Sequence, residues 1–171
     1  AVITNVAPNH LDVHKDMEEY IDAKKNLILH QNAFSKTVLN ADNEITHGME
    51  KLVRGSLNWF SRKIIPQNGA YLAEDGSINL VRNGEVSRLM QKDQIRLPGI
   101  HNIENYLAAI SATAGEISVE NIVHVAETFG GVEHRIEFVR MLDGVKYYND
   151  SIATSPTRTI AGLNSFDQKL I

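Results

Sequence analysis

The first forty residues, AVITNVAPNHLDVHKDMEEYIDAKKNLILHQNAFSKTVLN (1–40), decide the fold class. They contain a short β-branched run, a helical repeat of apolar residues and a second β-branched run. We predict a strand over 1–6, a helix that follows Asp16 as its N-cap, and a strand over 36–40. This alternation is typical of an α/β protein with a mostly parallel sheet.

Further segments continue the alternation. A helix is predicted over 44–54 and a short strand over 57–61. Residues 70–95 differ, because Asp75-Gly76 and Asn83-Gly84 separate three short alternating runs there. Such dipeptides favour two-residue hairpin turns, so we predict a small antiparallel meander in addition to the parallel strands.

The C-terminal half is expected to hold helices, one hairpin and the start of another strand. The predicted elements are a helix over 102–114, a helix from the cap Ser118 to Gly130-Gly131, a hairpin over 134–149 turning at Asp143-Gly144, a helix opened by Pro156, and a strand at 169–171. The Gly130-Gly131 pair is the best candidate boundary between a domain over 1–131 and a second over 132–171. Because both ends of the chain lie within strand-like runs, we expect it to be part of a longer protein.

Composition excludes several classes of protein. The 171 residues carry a formal net charge of −4, and 43% of them are hydrophobic. A chain of this charge does not bind nucleic acid through bulk positive charge. The absence of cysteine removes disulfide scaffolds, thiolate zinc sites and cysteine nucleophiles. No apolar run approaches the ~18 to 20 residues of a membrane span, so we expect a cytoplasmic protein without nucleic-acid or membrane partners.

Two residues near the first strand and helix are candidates for chemistry. His10 follows the first predicted strand, and loops at the carboxyl ends of strands are the usual ligand sites of α/β sheets. Lys24 lies on the apolar stripe of its helix, where a lysine must extend to solvent, pair with a carboxylate or be chemically altered. That stripe comprises Met17, Tyr20, Ile21, Leu27 and Ile28. A solvent-reaching lysine and a capping or core histidine are the alternatives.

Polar residues open the helix that follows Leu97-Pro98-Gly99. Asn102 and Asn105 are three residues apart and therefore share one helix face. Their amides donate and accept hydrogen bonds together, which suits the edge of a purine or a ribose hydroxyl. Ordinary helix capping is the alternative interpretation.

A third group surrounds the C-terminal hairpin. Asp150 precedes a hydroxyl-rich turn and a helix start, and its carboxylate suits ribose hydroxyls, whereas Arg135 suits a phosphate or a base. A strand-to-helix turn with ordinary Ser and Thr caps is the alternative. Neither a G-x-x-x-x-G-K-[ST] phosphate loop nor a G-x-G-x-x-G motif occurs in the chain.

Five segments occur in an order that resembles the Mur ligase family. They are ITNVAPNHLD, YIDAKKNLI, LPGIHNIENYLAA, GGVEHRIEFV and YYNDSIATSPTRTIAGL. The resemblance covers nearly the whole chain. It implies the second half of a central ATP-binding α/β domain followed by the start of a Rossmann-like C-terminal domain, and the family's phosphate loop would then precede Ala1.

The resemblance also implies a role for each group. Lys24 would be carbamylated and, with His10, would help to hold Mg²⁺, a cation that prefers oxygen ligands. The other implied roles are nucleotide binding by Asn102, Asn105, Arg135 and Asp150, and substrate binding by Ser151 and Thr154.

The implied activity is ATP-dependent amide-bond formation. It would add D-glutamate to UDP-N-acetylmuramoyl-L-alanine through an acyl phosphate, in peptidoglycan synthesis. The N-D-S-x-A-T segment at 149–154 favours this activity over another Mur or folylpolyglutamate-type ligase, and a non-catalytic nucleotide-binding or interaction module is a further alternative. Many relatives have lysine at the position of Ile152, so Arg158 is a candidate for the missing charge. Without a phosphate loop, the chain by itself is predicted to be inactive.

Overall fold

A six-stranded mixed sheet forms the centre of the molecule. The computed structural model describes residues 1–8 and 13–171, and of Thr157 only the backbone. The strands lie in sequence order: β1 Val2–Ile3, β2 Lys36–Asn40, β3 Ser56–Ser61, β4 Gly69–Leu72, β5 Ser77–Arg82 and β6 Glu85–Gln91. Strands β1 to β4 are parallel, whereas β4, β5 and β6 are antiparallel.

Five α-helices and a separate hairpin complete the described part of the chain. The helices are α1 Met17–Leu29, α2 Glu44–His47, α3 Ile100–Ala112, α4 Val119–Thr128 and α5 Pro156–Leu163. The hairpin consists of β7 Glu137–Leu142 and β8 Val145–Asn149. Short 3-10 turns lie at Glu50–Leu52 and Lys92–Gln94.

The predicted α/β class, with parallel strands and an antiparallel meander, is confirmed. The meander is not a separate unit, because β4 pairs in parallel with β3 and so extends the same sheet. A turn is present at both predicted places. Asn83-Gly84 is a two-residue turn with positive φ at both residues, whereas the connection at Asp75-Gly76 is longer than predicted and of that pair only Gly76 has positive φ. The hairpin turn at Asp143-Gly144 is likewise left-handed at both residues.

Three predicted elements differ in the structure. The first strand ends at Ile3 rather than at residue 6. The carbonyls that follow are bonded by side chains instead of a neighbouring strand, because Asn40 Nδ2 donates to Thr4 O and Asn43 Nδ2 donates to Val6 O. The helix predicted over 44–54 is interrupted at Gly48, which caps α2, and continues as a 3-10 turn. Residues 169–171 form no strand with the described residues.

Helix α1 begins where the sequence predicts. The Asp16 side chain accepts a hydrogen bond from the Glu19 N–H at 2.9 Å and caps the helix. Tyr20 and Ile28 are buried as the apolar stripe requires. Leu27, predicted on the same stripe, is 52% exposed because it lies at the edge of the buried face.

The sheet is covered by helices on both faces. In β2 the successive residues Val38 and Leu39 point to opposite faces, as alternation in a strand requires. Val38 packs in a cluster with residues of α3 and α4, and Leu39 packs in a second cluster with residues of α1. Thr37, Val38, Leu39 and Asn40 are all buried, as expected of an inner strand that is covered on both faces.

Helix α3 runs antiparallel to the parallel strands. Near its start, Glu104 accepts a hydrogen bond from Arg62, which follows the carboxyl end of β3. At its end, the Ala112 carbonyl accepts a bond from Lys36 Nζ at the amino end of β2, at 3.0 Å. The first turn of α3 therefore lies at the carboxyl edge of the sheet, where open α/β sheets bind ligands.

Within the described residues, none of the helices combines the length and the apolar character that crossing a bilayer requires.

Candidate functional site

A cavity of about 300 Å³ lies between α3, α4 and the segment that leads into β7. Its volume lies at the lower end of the range found for small-molecule binding sites. The cavity is lined by Leu97, Pro98, His101, Asn102, Asn105, Tyr106, Ala109, Val125, Phe129, Gly131, Val132, Arg135 and Ile136. Three of the residues predicted to bind a nucleotide, Asn102, Asn105 and Arg135, thus lie around one cavity.

Gly99 sets the entry of the chain into α3. Its φ of +95° favours glycine, and a Cβ there would meet the His101 ring and the Ser165 hydroxyl. One residue earlier, the Pro98 carbonyl accepts a hydrogen bond from Asn102 Nδ2 at 2.7 Å. The segment 97–99 is therefore packed closely against both the first turn of α3 and the chain after α5.

The two asparagines share a helix face, as predicted. Asn105 Nδ2 lies 3.4 Å from Asn102 Oδ1, and both residues line the cavity. Asn102 Nδ2 also donates to the Pro98 carbonyl, but the N-cap of α3 is Gly99 and makes no side-chain cap bond, so this contact is not the helix cap that the alternative interpretation expects. Both asparagines thus line the cavity, and Asn105 is the more exposed of the two.

Apolar side chains complete the lining of the cavity beside these amides. Val125 and Phe129 come from α4 and its C-cap, and Tyr106 comes from α3. The Tyr106 hydroxyl donates to the Val125 carbonyl at 3.3 Å, and burial raises the pKa of that hydroxyl. A cavity lined by apolar side chains and by two amides suits a flat heteroaromatic group.

Arg135 enters the cavity from a strained segment. Its neighbours His134 and Ile136 both have positive φ, +66° and +45°, which is uncommon for residues other than glycine. The Arg135 side chain is exposed and forms no ion pair or hydrogen bond with the described residues. The guanidinium is therefore available to a ligand.

Asp150 lies behind Arg135 rather than on the cavity wall. Its Oδ1 accepts a hydrogen bond from the Ile136 N–H at 3.1 Å, and its Oδ2 faces the Cα of Gly162 in α5. The carboxylate predicted to meet ribose hydroxyls is directed in this structure toward the backbone that carries Arg135. Its role as a nucleotide ligand stays a prediction.

His101 is a cavity residue for which the sequence analysis predicted no role of its own. Its ring is half-buried, and burial together with the nearby Arg135 cation lowers its pKa. The carboxylates of Glu104 and Asp150 oppose this effect. The signal was available, because residues 101 and 105 are one helical turn apart and so lie on the face that Asn105 occupies.

The remaining C-terminal candidates lie on the turn before α5 and outside the cavity lining. Ser151 N–H donates to Asn149 Oδ1 at 3.1 Å, and Thr154 N–H donates to the Ile152 carbonyl at 3.0 Å. Ile152 is 50% exposed, and Arg158 is exposed in the first turn of α5. The substrate-binding role of this turn stays a prediction.

Lys24 is half-buried on α1, which packs on the sheet face opposite to α3. Its ammonium lies 5.3 Å from the centre of the Tyr20 ring, a cation–π distance. Its neighbour Lys25 instead pairs with Asp22 at 2.7 Å.

His10, the predicted metal partner of Lys24, lies outside the described residues. Residues 1–8 and 13–171 contain no cluster of three acidic or histidine side chains suited to a metal ion.

The middle-domain model of the Mur ligases matches residues 1–113. The chain is 55% identical over 171 residues to the protein named UDP-N-acetylmuramoylalanine--D-glutamate ligase of Clostridium beijerinckii, and 54% identical to that of Clostridium botulinum. Both matches cover 100% of this chain but 36% of the relative. The chain therefore spans 36% of the length of these curated relatives.

Solved structures share the fold. One is MurF from Acinetobacter baumannii, with a TM-score of 0.75 and 19% identity over 99% of this chain and 37% of that chain. Another is the pseudomurein peptide ligase type C from Methanothermus fervidus, with a TM-score of 0.67 and 18% identity over 98% of this chain and 40% of that chain. The family model, the identity to curated relatives and the shared fold agree: the chain belongs to the Mur ligase family.

Proposed function

We propose that this chain is the part of an ATP-dependent ligase that holds the nucleotide while D-glutamate is joined to UDP-N-acetylmuramoyl-L-alanine. The observation that carries the proposal is the cavity at the carboxyl edge of the sheet, where Asn102, Asn105 and Arg135 converge on an apolar wall. The names of the relatives that are more than half identical to this chain support the substrates. The location that we propose is the cytoplasm.

The residues around the cavity fit the adenosine part of ATP. A cavity of about 300 Å³ accommodates a base with its sugar better than a whole triphosphate. The apolar wall formed by Val125 and Phe129 would pack against the base. The amides of Asn102 and Asn105 would read its polar edge, because an amide both donates and accepts hydrogen bonds.

Arg135 would bind the negatively charged part of the nucleotide. Its guanidinium has no protein partner among the described residues, and a planar guanidinium matches phosphate oxygens in pairs. Electrostatic attraction and orientation are what a protein supplies to phosphoryl transfer, in which ATP provides the phosphoryl group that activates the carboxylate. Arg135 thus contributes orientation and charge and exchanges no proton.

Mg²⁺ enters this proposal only as the expected companion of ATP. An unmodified Lys24 ammonium donates hydrogen bonds and offers no lone pair to a cation, so it fits a metal site only after carbamylation. The described residues do not form a metal site by themselves. No catalytic step is therefore assigned to the metal.

The division into a central domain over 1–131 and a C-terminal domain over 132–171 is also part of the proposal. The hairpin β7–β8 forms a sheet of its own, apart from the six-stranded sheet, which supports this division. The cavity then lies where the two domains meet. Nucleotide bound there would contact Asn102 in one domain and Arg135 in the other.

The test uses the full-length ligase and measures the KM for each substrate. Asn105→Ala and Arg135→Ala are each expected to raise the KM for ATP about tenfold, with a smaller effect on the KM for D-glutamate. Phe34→Ser is the matched control, because Phe34 is 98% exposed in the loop between α1 and β2. Unchanged KM for ATP in both variants would overturn the proposal.

The chain by itself is expected to lack ligase activity and to bind Mg-ATP weakly. Micromolar binding of Mg-ATP to the chain by calorimetry would contradict that expectation.

A further inference from the structure

The backbone on both sides of Arg135 is held in a conformation that side chains usually avoid. Ile136 is β-branched, and a β-branched residue with φ of +45° is a genuine outlier that persists only where its surroundings impose it. On the other side, the backbone N–H of His134 donates to Glu137 Oε2 at 2.8 Å, and its carbonyl accepts from Ile152 N–H at 3.2 Å. The backbone on both sides of Arg135 is therefore held in place, and this sets the direction in which the Arg135 side chain leaves the chain.

The backbone of Ile136 is held in place by a carboxylate, that of Asp150. Glu137 and Asn149 are the last paired residues of the β7–β8 ladder, so Ile136 and Asp150 would form the next pair. At that position the Ile136 N–H donates to the side-chain oxygen Asp150 Oδ1 at 3.1 Å. In a regular ladder the acceptor would be a backbone carbonyl of the neighbouring strand. Loss of this bond would leave the half-buried N–H of a strained residue without its acceptor.

The position of Asp150 depends in turn on Gly162. A Cβ at residue 162 would lie 2.6 Å from Asp150 Oδ2, which is closer than atoms that are not bonded can approach. Gly162 is buried in α5, and its backbone is helical with no positive φ. A helix by itself prefers alanine to glycine, so the missing side chain serves packing rather than backbone conformation.

We propose that Gly162 is a positioning residue for the nucleotide cavity. The space at Gly162 lets the Asp150 carboxylate reach the Ile136 N–H, and that bond keeps Arg135 directed into the cavity. The proposal rests on the proposed function for the role of Arg135. The contact between Gly162, Asp150 and Ile136 can be tested without it.

Gly162→Ala separates a positioning role from a structural one. The new methyl group is expected to rotate the Asp150 side chain away from Ile136, while helix α5 gains from the better helix former. The gain in helix propensity offsets part of the cost of the lost Ile136 bond, so the melting temperature should change little. The Kd for ATP of the full-length ligase should rise about tenfold, because a misplaced binding group loses its contact. Amide hydrogen exchange at Ile136 should become faster.

Ala161→Gly is the matched control, since Ala161 is the exposed neighbour of Gly162 in the same helix. It should lower the melting temperature and leave both the Kd for ATP and exchange at Ile136 unchanged. The effect of Gly162→Ala on ATP binding should also disappear in an Arg135→Ala background, because both substitutions then remove the same contact.

The outcomes distinguish the two proposals. Unchanged exchange at Ile136 in Gly162→Ala overturns the positioning role, whatever ATP binding does. Unchanged ATP affinity in Gly162→Ala, with weakened affinity in Arg135→Ala, overturns this inference and leaves the proposed function standing. Unchanged affinity in Arg135→Ala overturns the nucleotide role of Arg135, and with it the proposal that Gly162 serves that role.

Discussion

Arg62 Nε donates a hydrogen bond to Glu104 Oε1 at 2.6 Å, and this ion pair joins the carboxyl end of β3 to the first turns of α3. The backbone of Arg62 is held from the other side by Asp42, whose Oδ2 accepts its N–H at 2.7 Å. The other oxygen of Asp42 accepts the Ser61 hydroxyl at 2.6 Å. One continuous polar network therefore fixes the helix turn that carries His101, Asn102 and Asn105 to the edge of the sheet.

Loss of the Arg62–Glu104 pair should destabilise the fold modestly. The two side chains are 31% and 25% exposed, so the pair lies between a surface and a buried ion pair, and Arg62→Ala should lower the free energy of unfolding by about 1 kcal/mol. Urea denaturation measures this change. Glu104→Gln should cost less in the Arg62→Ala background than in the wild type. Strictly additive effects would show that the pair contributes nothing.

Ser111 pins the opposite end of α3 more strongly. Its buried hydroxyl donates to the Trp59 carbonyl and accepts from the Ala70 N–H, both at 2.8 Å. Ser111→Ala removes both of these bonds to the sheet backbone, one of them from a buried N–H, and should cost about 2 kcal/mol in the free energy of unfolding. Thr128→Ala is the control, because Thr128 is exposed and the bond of its hydroxyl among the described residues is to the His124 carbonyl, one turn earlier in the same helix. Equal losses in the two variants would contradict this prediction.

Local signals in the sequence predicted much of the fold. The Asp16 cap, the Asn83-Gly84 turn and the short strand β2 each depend on residues close together in the chain, and each is present. The early end of β1 depends instead on Asn40 and Asn43, which satisfy carbonyls about 36 residues away in the chain. Sequence patterns carry no information on such distant hydrogen bonds.

The candidate site likewise has features that local sequence patterns predict and features that depend on distant contacts. Helical spacing brought Asn102 and Asn105 together correctly, and both line the cavity. The bond between Asp150 and Ile136 could not be foreseen, because it depends on the left-handed backbone at Ile136 and on the space at Gly162. Charge patterns indicate which groups are present near a ligand, whereas packing decides which way each group points.

The pKa of His101 reports the geometry of the cavity. Burial first, and the Arg135 cation second, lower it from the ordinary value of 6.5, while Glu104 and Asp150 act against them. Arg135→Ala should therefore raise the pKa of His101, and Glu104→Gln should lower it further. Titration of the imidazole protons by NMR measures both shifts. A fall in Arg135→Ala would show that the guanidinium does not face the ring.

The same shift predicts how stability depends on pH. A histidine whose pKa is lowered on folding binds fewer protons in the folded state than in the unfolded state. The contribution of His101 to stability should therefore be present above its unfolded pKa near 6.5 and lost as the pH falls from there through the folded value. Urea denaturation at several pH values should show a smaller loss in His101→Gln than in the wild type. An equal loss would assign the pH dependence to other groups.

Lys24→Arg separates the two roles that Lys24 can have. A guanidinium also packs over an aromatic ring, so the contact with Tyr20 should persist and the free energy of unfolding should change by less than about 0.5 kcal/mol. Arginine stays protonated at neutral pH and cannot take up carbon dioxide as a lysine amine can. If Lys24 acts as a carbamate, Lys24→Arg should abolish phosphate release by the full-length ligase without unfolding it. Lys25→Arg, at the neighbouring lysine that pairs with Asp22, should keep both stability and activity. Full activity of Lys24→Arg would leave Lys24 with the cation–π contact as its role and would refute carbamylation as a requirement.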